Sequence, residues 1–194
     1  TEKINFTIYN LFGIRDRLHK EICTHPCVQQ LEFMYMDILK YANNYFKIID
    51  SIYDMTKFIK FNDTLFNIIE FSDIPELEDA KQLLNRIRER DLYTLIGTIN
   101  RDTNKKYNKT DFIIFSNILN PDDIIVSNIT IGYTNKDINP VDNISFYAQK
   151  NQNIKFKLKK EAISQLLPNT FTEKITRIFC KKKNLVNESI QTFN

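Results

Sequence analysis

The segment Ile8–Pro26, IYNLFGIRDRLHKEICTHP, holds both histidines of the chain, His19 and His25, and sets Arg15 four residues before His19. On a helix that spacing points both side chains the same way. A guanidinium fork suits phosphate oxygens, and an imidazole can donate or shuttle a proton near neutral pH. The pair could therefore grip a polyphosphate. The plainer reading is an exposed cationic face of Arg15, Arg17, His19 and Lys20. Neither histidine is followed by Asp, so these residues offer cations for phosphate but no obvious catalytic engine. His19, Cys23 and Cys27 fall at i, i+4 and i+8 with zinc-compatible ligand types. Pro26 interrupts that stripe and no fourth ligand is apparent, so small buried thiols are the simpler role for the cysteines.

Two other stretches carry chemistry-bearing residues. FKLKKEAISQLLPNTFTEKITRIFCKKK is basic, with Phe156, Phe171 and Phe179 interleaved. Basic residues with aromatics can bind single-stranded nucleic acid. Here the aromatics fall at core-facing positions, and the lysines read as a solvated face in which a phosphate contact is the more plausible use. The doublet Asp122-Asp123 follows Pro121 and reads as a turn.

The bulk properties bound the function. A length of 194 residues allows one large domain or two small ones, each with a real core. The net charge of +3 does not demand a nucleic-acid partner. Three cysteines argue against a disulfide framework and fit a reducing compartment, nuclear or cytoplasmic. No stretch is long enough to cross a membrane, and no secretory signal is present. With Gly13, Gly97 and Gly132 as the whole glycine complement, no glycine-rich phosphate loop exists. The chain starts at Thr1 and enters helical sequence at once, which predicts a piece of a longer protein.

The elements that must position these residues split into two textures. From Val28, apolar residues at Leu31, Tyr35, Ile38, Ala42, Tyr45 and Ile49 mark one face of a long helix that Pro26 begins. A second helical region spans about Ser51 to Phe71, with a break near Asn62. A third follows Pro75, with Leu77, Ala80, Leu84 and Ile87 on one face and Asp73 and Glu76 suited to its N-terminus. Near Leu92 the texture changes. LYTLIGTI, IIVSNITIGY, SFYAQ and IKFKL read as strands, with Ile125, Ile129, Ile131 and Tyr133 on one side of the second. Ile154, Phe156 and Leu158 alternate with Lys155 and Lys157 in the last. Thr170 to Glu173 reads as a capping box opening a final helix through Phe171, Ile175, Ile178 and Phe179. The expected fold is α+β: a helical half over 1–91, then a lobe over 92–194 with a small antiparallel sheet and helices.

In order and with similar spacing, six segments resemble the C-terminal half of the SAM-and-HD-domain deoxynucleoside triphosphate triphosphohydrolases, an HD-superfamily phosphohydrolase family. They are Ile8–Pro26, Asn43–Ile48, Ser51–Ser72, Arg88–Thr98, Asn139–Tyr147 and Ser164–Lys182. SQLLP and the P-x-D-x-x-S-F-Y element are the most specific. The resemblance implies that residues 1–91 are the C-terminal helices of the HD domain and 92–194 a regulatory and assembly lobe. It implies an intact enzyme that converts a dNTP to a deoxynucleoside and triphosphate with a divalent iron, manganese or magnesium centre. The ligands of that centre lie upstream, so the fragment itself carries no metal ligand, no catalytic residue and no activity.

The family's substrate-pocket Arg and His fall on Arg15 and His19, implying phosphate contact and, for His19, protonation of the leaving group. The next two pocket positions are Cys23 and Thr24, where the family has Tyr and Gln. Activating guanine nucleotides and deoxynucleotides, and the dimers or tetramers they assemble, would be met by Lys3, His25, Arg90 and Lys160. Thr7, Pro26 and Thr94 stand where an Asn and two Lys are expected, which weakens phosphate binding at such sites. The competing expectation is a non-catalytic module that binds single-stranded nucleic acid weakly, or a structural interaction domain.

Overall fold

The computed structural model describes residues 2–101, 105–114, 118–134, 137–148, 151–157 and 169–193, with the side chains of 2–6, 148, 151 and 152 outside that set. The architecture is α+β. Helix α1 (Glu2–Leu18) runs into a π-turn (His19–Cys23), followed by the long helix α2 (Pro26–Phe46). Three short helices follow, α3 (Ile48–Ser51), α4 (Met55–Phe58) and α5 (Thr64–Phe71), and then α6 (Glu78–Arg88). The second half holds strands β1 (Thr94–Arg101), β2 (Ile124–Gly132), β3 (Phe146–Ala148), β4 (Asn151–Phe156) and β5 (Thr172–Cys180). Helices α7 (Thr110–Ile113) and α8 (Val186–Phe193) complete it.

Local chemistry sets the helix ends. His25 caps α2 by accepting the Cys27 N–H on Nδ1, and Pro26 occupies the first turn, where its missing donor costs nothing. Asp54 caps α4 through the Thr56 N–H. The expected break at Asn62 is present because its Oδ1 accepts the Thr64 N–H and starts α5. A further break falls between α3 and α4, so the second helical region is three pieces.

The buried stripe of α2 is Met34, Ile38 and Ala42: Ile38 and Ala42 lie on the expected Leu31–Ile49 face, whereas Tyr35, Tyr45 and Ile49 of that face are exposed and Met34 replaces them. Three-four spacing permits two adjacent stripes, and the partner surface selects between them. The selected stripe packs on Leu65 and Ile69 of α5 and on Leu77, Ala80 and Leu84 at α6.

β5 is the centre of a three-stranded antiparallel sheet ordered β1-β5-β2. The expected final helix over this segment is therefore wrong. A central strand covered on both faces is apolar on both, so Phe171, Ile175, Ile178 and Phe179 also satisfy helical spacing. Thr172, Ile175, Thr176 and Ile178 are β-branched, and sheet pairing decided between the two. α8 lies beyond that segment, in sequence with no expected element. β3 and β4 form a separate ribbon in which Ile154 and Phe156, expected inward, are 61% and 42% exposed. Leu158 lies outside the described residues.

The junction between halves is a ladder of side chains. Arg177, Phe179 and Lys181 alternate along β5 and its end, and they meet Gln29, Phe33 and Asp37 of α2. The match is metrical: two strand residues advance about 6.6 Å and four helix residues about 6 Å. Ile178 and Cys180, on the other face, pack with Leu119 and Ile124 against Phe112 and Phe193. Gly97 sits at a bulge in β1, where a Cβ would stand 2.2 Å from the Phe193 ring.

Candidate functional site

Arg15 lies in α1 and His19 opens the π-turn, so helical backbone carries both and both are half-buried. The Thr24 N–H and hydroxyl each donate to the His19 carbonyl at 2.8 Å, which closes the wide turn. A π-turn holds one more residue than an α-turn and is common where side chains must be re-aimed. Thr24, at a pocket position of the resemblance, thus directs its hydroxyl at backbone.

Three cations fasten this helix to the sheet. Arg15 Nη1 donates to the carbonyls of Gly132 and Tyr133, both at 3.0 Å, at the end of β2. Lys20 Nζ lies 2.6 Å from Glu173 and 3.2 Å from Asp16. Burial works against the Lys20 charge, but hydrogen bonds to Glu173 and Asp16 outweigh it and push its pKa up. Arg177 donates from β5 to the Thr24 carbonyl and, at 2.8 Å, to Gln29 Oε1. Neither Arg177 nor Gln29 was legible as a site residue. The signal was available: two polar residues, Gln29 and Asp37, fall on the face of α2 that lies beside Met34 and Ile38.

Of the other predicted residues, His25 and Arg90 are described in full. Exposed His25 directs Nδ1 at the Cys27 N–H, which leaves Nε2 to carry the proton of the neutral ring. Arg90 is exposed with φ 59°, in the left-handed region. Its N–H donates to Ile87 O at 3.1 Å and the Asp91 N–H to Arg86 O at 2.8 Å, the two bonds of a Schellman motif closing α6. Glycine is the usual occupant of that position. Lys3 falls on α1 among the side chains outside the description, and Lys160 lies outside the described residues altogether.

The basic run at the end of β5 is ion-paired. Lys181 meets Asp37 at 2.5 Å, Lys182 meets Asp123 at 2.9 Å and Lys183 meets Asp91 at 2.9 Å. Phe171 and Phe179 are buried in the core. The first two pairs line a cleft of about 610 Å³ together with Lys40, Arg86 and Tyr93. Buried Asp37 also accepts the Tyr93 hydroxyl at 2.9 Å and Lys40 at 3.0 Å. Desolvation opposes its ionisation, yet the hydrogen bonds from Lys181, Lys40 and Tyr93 prevail and hold it below the usual carboxylate range. Burial, reinforced by Asp37, pushes the Tyr93 phenol far up.

Among the described residues no group of three or more His, Cys, Asp or Glu comes together that could hold a metal ion. The cysteines depart from the expectation of buried thiols: Cys23 is exposed, Cys27 half-buried and Cys180 buried. Cys23 ends the π-turn. No described helix is long and apolar enough to cross a membrane.

No protein-family model matches the chain. The chain is 36% identical over 192 residues to the deoxynucleoside triphosphate triphosphohydrolase SAMHD1 homolog of Dictyostelium discoideum, covering 96% of this chain and 37% of that protein. It is 28% identical to human deoxynucleoside triphosphate triphosphohydrolase SAMHD1, over 90% of this chain and 32% of the human protein. A putative HD domain-containing protein, L394, of Acanthamoeba polyphaga mimivirus is 25% identical over 94% of this chain and 44% of its own length. The chain thus spans about a third to under a half of the length of these relatives. Over nearly its whole length, it is a relative of a segment of the SAM-and-HD-domain deoxynucleoside triphosphate triphosphohydrolases.

Proposed function

We propose that this chain is the regulatory and assembly portion of a metal-dependent dNTP triphosphohydrolase, with residues 1–91 completing an HD domain and 92–194 forming an assembly lobe. The observation that carries the reading is the 36% identity over 96% of the chain to a relative named for that activity. Arg15 and His19 contribute the phosphate side of the substrate pocket, and His19 protonates the leaving deoxynucleoside oxygen. Lys3, His25, Arg90 and Lys160 contact activating guanine nucleotides and deoxynucleotides between subunits. An iron, manganese or magnesium ion, held by residues outside this chain, would supply the activated water and neutralise phosphate charge when bound.

Two features support this reading. Arg90 occupies a backbone position that favours glycine, a cost tolerated where the side chain is used. Leu11, Ile14, Leu18 and Ile22 form an apolar stripe along α1 and the π-turn, exposed by 64, 65, 48 and 59%. Such a stripe requires a cover, and the rest of an HD domain would provide one.

The test is a dNTP hydrolysis assay on the gene product expressed from its natural start, with manganese and GTP. Triphosphate release from that protein, and none from the 194-residue chain, is the expected result. No release from a protein that carries upstream His-Asp ligands would refute the enzymatic reading. GTP with a deoxynucleotide is expected to raise the mass of the intact protein in solution to that of a higher oligomer, and an unchanged mass would refute nucleotide-driven assembly.

A further inference from the structure

The guanidinium of Arg177 is the least conventional buried group at the candidate site. Arg177 is 9% exposed, and among the described residues no carboxylate lies within ion-pair distance. Its Nη1 bonds the Thr24 carbonyl and Gln29 Oε1, while its Nε is buried without a hydrogen-bond partner. Burial alone lowers its pKa. A buried cation held only by neutral oxygens needs another source of negative potential. The geometry supplies it. Thr24 caps the C-terminal end of the continuous helix formed by α1 and the π-turn, where the aligned peptide dipoles leave partial negative charge.

The second link is Gln29. Its Oε1 accepts from Arg177 at 2.8 Å, and its Nε2 donates to Ser127 Oγ at 3.3 Å. Ser127 of β2 pairs directly with Arg177 of β5 in the sheet register. The relay therefore starts and ends on adjacent strands and passes through the first turns of α2. It ties the backbone between His19 and His25 to the paired strands β2 and β5 of the three-stranded sheet. That backbone is a π-turn, whose alternative is an ordinary α-turn with every following residue rotated by about 100°.

We propose that Arg177 is a positioning residue that holds the His19–Cys23 π-turn in register and so sets the orientation of His19 relative to His25. The inference rests on the proposed function for the meaning of that orientation: one histidine serves the substrate phosphates and the other an interface nucleotide. Among the described residues neither histidine hydrogen-bonds to Arg177, so its action runs through the backbone at Thr24.

The chain has two histidines, so their imidazole signals report the turn directly. Proton–carbon spectra of the 194-residue chain are recorded for wild type, Arg177→Met and Arg177→Lys. With Arg177→Met, both histidine signals are expected to move or double, while the methyl signals of Leu65 and Ile69 stay in place. Arg177→Lys keeps a charge near the Thr24 carbonyl and is expected to restore the wild-type positions in part. Unmoved histidine signals in folded Arg177→Met overturn the proposal. If Arg177→Met does not fold, Arg177→Gln, which removes the charge and shortens the reach to the Thr24 carbonyl, carries the same expectation. Unmoved histidine signals in Arg177→Gln overturn the proposal equally. Inorganic triphosphate is then added to each folded variant. The proposal expects affinity at His19 to fall about tenfold or more in Arg177→Met. Absence of any triphosphate effect on wild-type His19 would refute the phosphate role of Arg15 and His19, while the histidine signals without ligand would still decide the role of Arg177.

Discussion

Replacing Arg90 with glycine separates the backbone role of this residue from its side-chain role. Arg90 closes α6 with φ 59°, and its two Schellman bonds, at 3.1 and 2.8 Å, involve only backbone. Holding a non-glycine residue left-handed costs about 1–2 kcal/mol, while the extra freedom glycine brings to the unfolded chain costs about 0.4–1 kcal/mol. The difference favours Arg90→Gly by about 0.5–1 kcal/mol. For a domain of this size that corresponds to a Tm rise of about 1–4 °C. Arg90→Ala keeps the strained backbone and is expected to leave Tm within about 1 °C of wild type. Thermal unfolding of the three proteins without nucleotide measures this directly. A fall in Tm for Arg90→Gly would refute the account of the Schellman closure. Under the proposed function, both variants of the longer enzyme are expected to lose the assembly that GTP and a deoxynucleotide would drive. A glycine variant that is more stable yet assembles like wild type would show that the strained position is not maintained for phosphate contact.

Asp37→Asn removes the charge shared by Lys181, Lys40 and Tyr93 and is expected to destabilise the chain by about 3 kcal/mol, read from urea unfolding at pH 7. Because the folded pKa of Asp37 is depressed, its contribution is complete above the unfolded value near 3.9 and fades as pH falls through the lower folded value. The gap between wild type and Asp37→Asn should therefore narrow below about pH 4; a constant gap down to about pH 2 would contradict the assignment. Tyr93→Phe should cost about 1.5–3 kcal/mol, and its effect should be strongly non-additive with Asp37→Asn in a double-mutant cycle. Gly132→Ala places a Cβ 2.4 Å from the Phe171 carbonyl, on the residue whose own carbonyl seats Arg15. A loss of about 1–3 kcal/mol with a shifted His19 imidazole signal is expected, and wild-type stability would count against the packing described.

Much of the architecture was legible locally. Pro26 at the start of α2, the break at Asn62 and the helix that follows Pro75 are written in residues that act on their own backbone or that of near neighbours. The fold class followed from apolar periodicity, and the resemblance to the dNTP triphosphohydrolases followed from the order of six segments. These signals need no partner in space.

The tertiary structure decided what depends on a distant surface. β5 matched a helix as well as a strand, and β1 and β2 supplied the backbone partners that settled it. The buried face of α2 was chosen by α5, α6 and β5, because only there do Gln29 and Asp37 find Arg177 and Lys181. The basic end of β5 looked like a free cationic face, and acids from α2 and the turns after α6 and before β2 paired it. Arg15 and His19 were visible as chemistry from their spacing. The π-turn that His19 opens was not, because the Thr24 carbonyl at its end is bonded by an arginine 153 residues away along the chain. Local preferences are carried by short-range bonds, whereas charge pairing and strand order are set only when remote segments exclude water together.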